Sequence, residues 1–199
     1  VGIGHIGTRV AELCRGLFGM TVIACDPYLT AEQIKARGAE KVRLEDVFKR
    51  ADYVSVHCPR TKETMGMIGK AQFALMKRTA YFITTARGGV HNEADLAQAL
   101  TEGRIAGAGL DVFMDEPPPG DHPLLQFDNV IATPHLAGMT EESVMIMAEG
   151  NAQQWLTIFD GGQPPRLINP EAWAKYSDRF ERLIGARPDR KSTRLNSSH

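Results

Sequence analysis

Short runs of apolar residues alternate along the chain with segments that place apolar residues at helical spacing. The runs cover residues 20–25, 53–56, 81–84, 105–110 and 129–133. They are nearly continuous, which is typical of strands that are buried on both faces of a parallel sheet. Parallel strands need crossover connections, and helices supply them. The pattern therefore predicts an α/β fold with a doubly wound parallel sheet.

The segments between these runs carry helix signals. The first ends at Gly19, a suitable C-terminal cap, and has apolar residues three and four positions apart: Ile6, Val10, Leu13, Cys14 and Leu17. Thr30 is predicted to cap a helix that runs through residue 35, and Asn92 one that runs through residue 100. Residues 140–159 favour one long helix with an apolar stripe that predicts core packing: Val144, Ala148, Ala152, Trp155 and Phe159.

A glycine-rich turn opens the chain. Gly2, Gly4 and Gly7 fit G-x-G-x-x-G, with Val1 as the remnant of a truncated first strand. In Rossmann-type domains these glycines make a tight turn, admit a pyrophosphate and let the helix pack closely. Asp26, at the end of the second predicted strand, would accept hydrogen bonds from ribose hydroxyls and repel a 2′-phosphate. The motif therefore predicts a Rossmann-type sheet that binds NAD rather than NADP.

Composition excludes several other classes of protein. Lys and Arg total 23 against 24 Asp and Glu, which leaves no basic excess for nucleic acid. No apolar run approaches the roughly 18 residues of a membrane span. Cys14, Cys25 and Cys58 lack paired spacing, so we expect free thiols in a reducing, cytoplasmic compartment. No histidine spacing indicates a metal site.

Polar clusters follow the carboxyl ends of the later predicted strands, at residues 57–59, 84–89, 111–117 and 133–138. In an open parallel sheet these ends share the edge where ligands bind. Methyltransferases also combine a glycine-rich turn with an acidic strand end, so the clusters must decide the chemistry. Taken singly, a loop arginine, an acidic turn and a histidine after proline are most often surface residues. Their convergence on one edge favours a catalytic site.

The segments GIGHIG, DPY, ARGG, DVFMDEP and TPHLAG resemble, in this order, the NAD-binding domain of the D-isomer-specific 2-hydroxyacid dehydrogenases. The resemblance implies that Arg87, Glu116 and His135 are catalytic and that Asp111 orients the nicotinamide carboxamide. Arg87 and His135 are also implied as cofactor contacts, together with a further set: Gly2, Gly4, His5, Ile6, Gly7, Asp26, Cys58, Thr64, Thr85, Ala86 and Gly138. The chain departs from the family's usual residues at Thr84, His91 and Asn92.

The three catalytic candidates suit the oxidation of a 2-hydroxy acid. This reaction removes a hydroxyl proton while hydride leaves the same carbon, so it needs a base beside a fixed cation. His135 has a suitable ordinary pKa of about 6.5, and Glu116 would orient its ring. Arg87 would hold the substrate carboxylate with its planar guanidinium. We therefore predict NAD-dependent interconversion of a D-2-hydroxy acid and its 2-oxo acid.

Two related functions stay open at this point. A formate dehydrogenase would carry Gln where this chain has Glu116, and the acid argues against it. A corepressor of the C-terminal-binding-protein type would bind NAD to control assembly, and such proteins can retain the dehydrogenase residues. The particular 2-hydroxy acid is not predicted, because side-chain selectivity is expected in a separate substrate domain.

The chain is expected to comprise three parts. Residues 1–160 form the NAD-binding domain, and residues 161–188 resemble a return segment towards a substrate domain whose main body would precede Val1. Residues 189–199, DRKSTRLNSSH, match the translation of a common sequencing adapter; a natural basic tail is the alternative. We therefore expect a gene fragment that does not turn over substrate alone. The resemblance also implies a homodimer formed through the cofactor domain.

Overall fold

The computed structural model describes residues 1–185, which divide into two compact units. The first unit, Val1–Ala137, contains two groups of parallel strands. In one group, β1 (Ile23–Ala24) pairs with β2 (Glu40–Lys41). The other group is a four-stranded sheet in chain order: β3 (Tyr53–Val56), β4 (Tyr81–Thr84), β5 (Gly107–Leu110) and β6 (Val130–Ala132). The predicted adapter segment, residues 189–199, lies outside the described residues.

Val1 connects the two groups of strands. Its amino group donates to the Ser55 carbonyl at 2.6 Å, and its own carbonyl accepts the His57 N–H at 2.8 Å. On the other side, the Gly2 N–H donates to the Cys25 carbonyl at 2.9 Å. The strand order is therefore β2, β1, Val1, β3, β4, β5, β6, which is that of a doubly wound sheet. The prediction of an α/β fold with a Rossmann-type, doubly wound parallel sheet is confirmed.

Five α-helices connect the strands of the first unit: α1 (His5–Phe18), α2 (Ala31–Ala36), α3 (Leu44–Arg50), α4 (Lys70–Leu75) and α5 (Glu93–Thr101). A short 3₁₀ helix (Pro123–Leu125), capped by His122, lies between β5 and β6. The predicted caps are confirmed. Gly19 ends α1 in the left-handed region, where its N–H donates to the Arg15 carbonyl. The side chains of Thr30 and Asn92 accept backbone N–H groups in the first turns of α2 and α5.

The strands follow the apolar runs with two differences. β3 and β4 match their runs in full, whereas β1, β5 and β6 are shorter than predicted. The exposed strand β2 was not predicted, because its two residues, Glu40 and Lys41, are polar and charged. Its position is determined by pairing with β1 and not by a local pattern.

The main core lies on one face of the four-stranded sheet. Val54, Phe82 and Ala108 share this face, and the helices α3, α4 and α5 cover it with residues such as Phe48, Phe73 and Leu96. On the opposite face, Tyr53 and Tyr81 stack at 5.7 Å and remain exposed, as does Ile131 of β6. The prediction of strands buried on both faces is therefore wrong for β3, β4 and β6. The physical reason is that α3, α4 and α5 all pack on one side.

The second unit begins at Gly138 and contains two helices within its described part, α6 (Glu141–Phe159) and α7 (Ala172–Ile184). The long helix is confirmed, and Thr140 caps it by accepting the Ser143 N–H at 3.1 Å. None of the residues of α6 is buried, so the prediction that its apolar stripe packs in the core is wrong. Within the described residues, the second unit offers only α7 and short connecting segments, too little to cover a 19-residue helix.

Candidate active site

The glycine-rich turn is held tightly by its neighbours. Gly2 has φ +78°, and a Cβ at this position would lie 2.9 Å from the Cys58 nitrogen. At Gly7 a Cβ would collide with the Gly2 carbonyl oxygen. At Gly4, in contrast, a Cβ would meet no atom within 4 Å. Two glycines are therefore required by the fold, while Gly4 borders open space.

The first turn of α1 faces this open space with backbone N–H groups that no side chain caps. Gly4 is the N-cap residue, no side chain caps the helix, and no acidic residue lies in its first turn. The backbone N–H groups at a helix N-terminus, together with the helix dipole, favour an anionic group such as a phosphate. His5 and Ile6 both lie in this turn, and the Ile6 side chain is 64% exposed.

Asp26 lies two residues beyond the end of β1 and is bonded to the same turn. Its Oδ2 accepts the Ile3 N–H at 3.1 Å, and its Oδ1 accepts the Tyr28 N–H at 3.0 Å. These bonds fix the carboxylate beside the glycine-rich turn and leave each oxygen a further lone pair. The position suits a group that accepts hydrogen bonds from two neighbouring hydroxyls.

The loops after β3 and β4 approach the turn and each other. Cys58 contacts Gly2, and burial raises the pKa of its thiol, which therefore stays protonated. Thr64 donates to the Pro59 carbonyl at 2.6 Å and so closes the loop after β3. The Gly66 N–H donates to the Gly89 carbonyl at 2.8 Å, which joins this loop to the segment that carries Arg87.

Arg87 follows β4 in an exposed position. Its guanidinium donates to the Ala86 carbonyl at 2.6 Å, and the Ala86 N–H donates to Thr84 Oγ1 at 3.3 Å. The buried Thr84 therefore anchors the segment in which Thr85, Ala86 and Arg87 lie. The remaining guanidinium N–H groups of Arg87 are available to an anion.

His135 and Glu116 form a pair. His135 Nδ1 lies 2.8 Å from Glu116 Oε2, and Glu116 Oε1 accepts the Phe113 N–H at 3.1 Å. The hydrogen bond from His135 lowers the pKa of Glu116 below its usual value, and the Phe113 N–H and the nearby charge of Arg87 act in the same direction. Because the ionised carboxylate needs a donor, Nδ1 carries the proton, and Nε2 is left to accept or release one.

His135 has a left-handed backbone, with φ 56°. This conformation costs a residue other than glycine about 1–2 kcal/mol, so neighbouring bonds must hold it. Asp111 supplies them from the end of β5: Oδ1 accepts from Thr133 Oγ1 at 2.6 Å and from the Leu136 N–H at 2.8 Å, and Oδ2 accepts from the Ala137 N–H at 3.0 Å. A buried carboxylate thus clamps the turn that presents the imidazole.

These bonds also set the protonation of Asp111. Burial opposes its ionisation, but the hydrogen bonds from Thr133, Ala137 and Leu136 outweigh burial and hold the pKa of Asp111 below its usual value. The positive charge that His135 can acquire acts in the same direction. Asp111 is therefore ionised at neutral pH, as its three donors require.

A cavity of about 440 Å³ lies beside the His135–Glu116 pair. Its lining includes Asp111 and both members of the pair, and its remaining walls are mainly apolar. A mostly apolar cavity with a few convergent polar groups is the usual form of a small-molecule site. The apolar walls are formed by Phe113, Pro117, Pro118, Leu125, Ala132 and Pro134.

The structure brings together most of the residues that the sequence predicted for the site. The glycine-rich turn, Asp26, and the loops after β3 and β4 form one bonded cluster, and Arg87, Glu116, Asp111 and His135 lie at the same carboxyl edge of the sheet. Gly138 belongs to the second unit, so its contact with a cofactor stays a prediction. The hydrogen-bonding role of Thr133 was missed, although the residue stands within the predicted segment TPHLAG.

The fold and the site together define a dinucleotide-binding domain with a histidine–carboxylate pair at the edge of its sheet. A family model described as "D-isomer specific 2-hydroxyacid dehydrogenase, NAD binding domain" matches residues 1–137. The chain belongs to this family. NAD is its cofactor, and the open space at Gly4, the uncapped α1 amides and the bonded Asp26 carboxylate fit that cofactor.

Curated proteins that are similar to the chain include dehydrogenases and reductases. The chain is 44% identical over 171 residues to "Glyoxylate reductase" from Korarchaeum cryptofilum, covering 86% of this chain and 51% of the relative. It is 41% identical over 183 residues to "D-3-phosphoglycerate dehydrogenase" from Bacillus subtilis, covering 92% of this chain and 34% of the relative. The chain thus spans about half, or less, of the length of these relatives.

The solved structures agree with this assignment. An NAD-complexed D-isomer specific 2-hydroxyacid dehydrogenase from Lactobacillus delbrueckii ssp. bulgaricus superposes with a TM-score of 0.77 at 36% identity, over 84% of this chain and 54% of that chain. A D-lactate dehydrogenase with NAD+ from Lactobacillus jensenii gives a TM-score of 0.77 at 35% identity, over 84% and 53%.

Within the described residues, none of the helices combines the length and apolar character that crossing a bilayer requires. The same residues contain no cluster of three or more His, Cys, Asp or Glu side chains that could hold a metal ion.

Proposed function

We propose that this domain is part of an enzyme that interconverts a D-2-hydroxy acid and its 2-oxo acid with NAD. The observation that carries the proposal is the 2.8 Å contact between His135 Nδ1 and Glu116 Oε2 at the carboxyl edge of the sheet. The charge of Arg87 acts on the same carboxylate. These contacts support a site in which a base, the carboxylate that orients it and a cation lie together at the edge of the cofactor domain.

The three side chains have separate roles in this proposal. His135 Nε2 accepts the hydroxyl proton during oxidation and returns it to the carbonyl oxygen during reduction. Glu116 keeps the ring in one tautomer and stabilises the charged imidazolium. Arg87 holds the substrate carboxylate and polarises the reacting carbonyl. The hydride itself is exchanged with the nicotinamide, which supplies that chemistry when bound.

The substrate proposed is a small 2-hydroxy acid or the matching 2-oxo acid. Glyoxylate and 3-phosphoglycerate are candidates because they occur in the names of relatives, and hydroxypyruvate is a further candidate. The chain is 44% identical to a glyoxylate reductase and 43% identical to a D-3-phosphoglycerate dehydrogenase. These values are nearly equal, so sequence identity does not favour one substrate over the other. We propose that substrate selection lies in a substrate domain outside residues 1–185.

We propose that the protein works as a cytoplasmic homodimer whose two subunits contact each other through the cofactor domain. Support comes from α6, which lies within the predicted NAD-binding domain of residues 1–160. Its exposed apolar residues include Met145, Ile146 and Trp155, at 58%, 61% and 54% exposure. Exposed apolar surface of this extent on one helix is typical of an interaction face. Sedimentation of the purified protein tests this part of the proposal, and a monomer at all concentrations would contradict it.

The enzymatic proposal is tested on these residues joined to the proposed upstream substrate domain. NADH consumption is measured with glyoxylate, hydroxypyruvate and 3-phosphohydroxypyruvate, and NAD reduction with 3-phosphoglycerate. Arg87→Lys should raise the KM for the 2-oxo acid, because Lys lacks the planar guanidinium that can bind a carboxylate with two hydrogen bonds. Arg78→Lys, at an exposed position away from the site, is the matched control. Absence of turnover with all four compounds, despite NAD binding, would favour a binding role instead.

A further inference from the structure

A second histidine–carboxylate pair, His122 and Glu93, contacts the segment that carries Glu116. Glu93, the first residue of α5, places its Oε1 2.6 Å from the Met114 N–H and its Oε2 3.2 Å from His122 Nε2. Both side chains are largely shielded, at 17% exposure for Glu93 and 16% for His122. None of the family motifs that identified the site includes Glu93 or His122.

The hydrogen bonds define which atoms of this second pair carry protons. The Leu124 N–H donates to His122 Nδ1 at 3.3 Å, so Nδ1 is the unprotonated nitrogen. His122 Nε2 therefore carries the proton and donates to Glu93 Oε2. The edge contact of the His122 ring with Phe113, at a centroid distance of 5.4 Å, holds the ring in this orientation.

The two carboxylates hold adjacent peptide groups of one segment. Glu116 accepts the Phe113 N–H, and Glu93 accepts the N–H of the next residue, Met114. Glu93 belongs to a helix packed on the core, whereas Met114, Asp115 and Glu116 are exposed. The Glu93 carboxylate therefore ties the start of the exposed segment to a helix of the core, next to the buried Phe113.

We propose that Glu93, oriented by His122, is a positioning residue that places Glu116 against His135. This inference rests on the proposed function, because it concerns the same catalytic pair. Glu93 does not touch the reacting atoms in this role. It sets the path of the Phe113–Glu116 backbone, and that path determines whether Glu116 reaches the imidazole.

The arrangement requires a carboxylate and not an amide. Both Glu93 oxygens face N–H donors, from Met114 and from His122. A glutamine has nearly the same shape but only one acceptor oxygen, so its NH2 group would face one of the two donors. Glu93→Gln should therefore release one of the two bonds without changing the volume of the site.

The test reads the imidazole of His135 directly by NMR, with isotope-labelled histidine in the full chain. Its ring nitrogen signals are assigned by their loss in His135→Gln. The chemical shift of Nδ1, which reports its hydrogen bond to Glu116, is compared at one pH in Glu116→Gln, Glu93→Gln and the control Glu102→Gln at the exposed end of α5. The charged groups around this imidazole are Glu116 and Asp111, with Arg87 acting on Glu116. Turnover is not needed, so the readout is independent of any substrate domain.

We expect Glu116→Gln to move the Nδ1 signal of His135 from its wild-type chemical shift, because it removes the carboxylate that accepts the Nδ1 proton. Glu93→Gln should give at least half of that change although Glu116 is intact, and Glu102→Gln should give none. A shift in Glu116→Gln with no shift in a folded Glu93→Gln would overturn the positioning role alone. No shift in Glu116→Gln would overturn the catalytic pair and, with it, both proposals.

A second variant covers the case in which Glu93→Gln does not fold. His122→Asn keeps an oxygen acceptor for the Leu124 N–H and a preferred cap residue, but it removes the donor to Glu93. We expect a smaller change in the Nδ1 signal of His135 than in Glu93→Gln, in the same direction. An unchanged Nδ1 signal in a folded His122→Asn would overturn the role of His122 as the orienting partner.

Discussion

The clamp that Asp111 forms on the turn of His135 predicts a measurable loss of stability in Asp111→Asn. The asparagine keeps one oxygen for Thr133 and Leu136, but it turns an NH2 group towards the Ala137 N–H. A hydrogen bond to a charged group contributes about 1.5–3 kcal/mol. Because the Ala137 N–H can partly turn to water, we expect the free energy of unfolding to fall by about 2 kcal/mol.

This loss corresponds to a decrease in the melting temperature of about 4–8 °C for a chain of this size. Urea unfolding followed by circular dichroism gives the free energy directly, and Asp115→Asn serves as the matched control because Asp115 is exposed in the same segment. The left-handed backbone of His135 should lose its support together with the clamp. Equal stability of Asp111→Asn and Asp115→Asn would refute the clamp.

The same reasoning gives the pH dependence of the clamp. The folded chain holds the pKa of Asp111 below its ordinary value of about 3.9, since its hydrogen bonds outweigh burial. The stabilisation is therefore fully present above the pKa of the unfolded chain and is lost as pH falls through the lower pKa of the folded chain. The difference between wild type and Asp111→Asn should shrink at pH values below about 4.

Three further results are expected. Asp26→Ala should erode the preference for NAD over NADP in calorimetric titrations of the chain, and a wild-type chain that binds NADP more tightly would contradict the role of Asp26. In the chain joined to the proposed substrate domain, His135→Asn should lower turnover by roughly 10² to 10⁴ while NAD affinity is kept, and near-normal turnover would remove His135 from the catalytic set. His91 is buried, its ring nitrogens have no partner among the described residues, and burial lowers its pKa to about 4. Stability should therefore fall as pH drops from about 6.5 towards 4, and His91→Leu should flatten this slope in urea unfolding at pH 5 and pH 7; an unchanged slope would contradict it.

The parts of the fold that could be predicted are those with a local signal. The apolar runs at β3 and β4, the caps at Gly19, Thr30 and Asn92, and the glycine-rich turn each depend on residues close in sequence. The pairing of Glu116 with His135, 19 positions apart, has no local signal. It was predicted from the resemblance and from the convergence of the strand ends on one edge of the sheet.

The remaining features depend on contacts between distant segments. β2 exists because β1 pairs with it, and the one-sided burial of β3 and β4 depends on which helices pack on the sheet. The left-handed backbone of His135 follows from bonds to Asp111, and the role of Glu93 follows from a peptide group 21 positions away. None of these has a signature in a single stretch of sequence.

The unequal surroundings of Gly4 and Gly7 separate folding from ligand binding within one short motif. Loss of Gly7 would disturb the backbone of the turn itself, whereas a methyl group at Gly4 would project into space that the protein does not use. A lineage in which Gly4 is replaced could therefore keep a stable domain and abandon its nucleotide. Natural selection would preserve Gly7 because the fold requires it, and would preserve Gly4 only where ligand binding is useful.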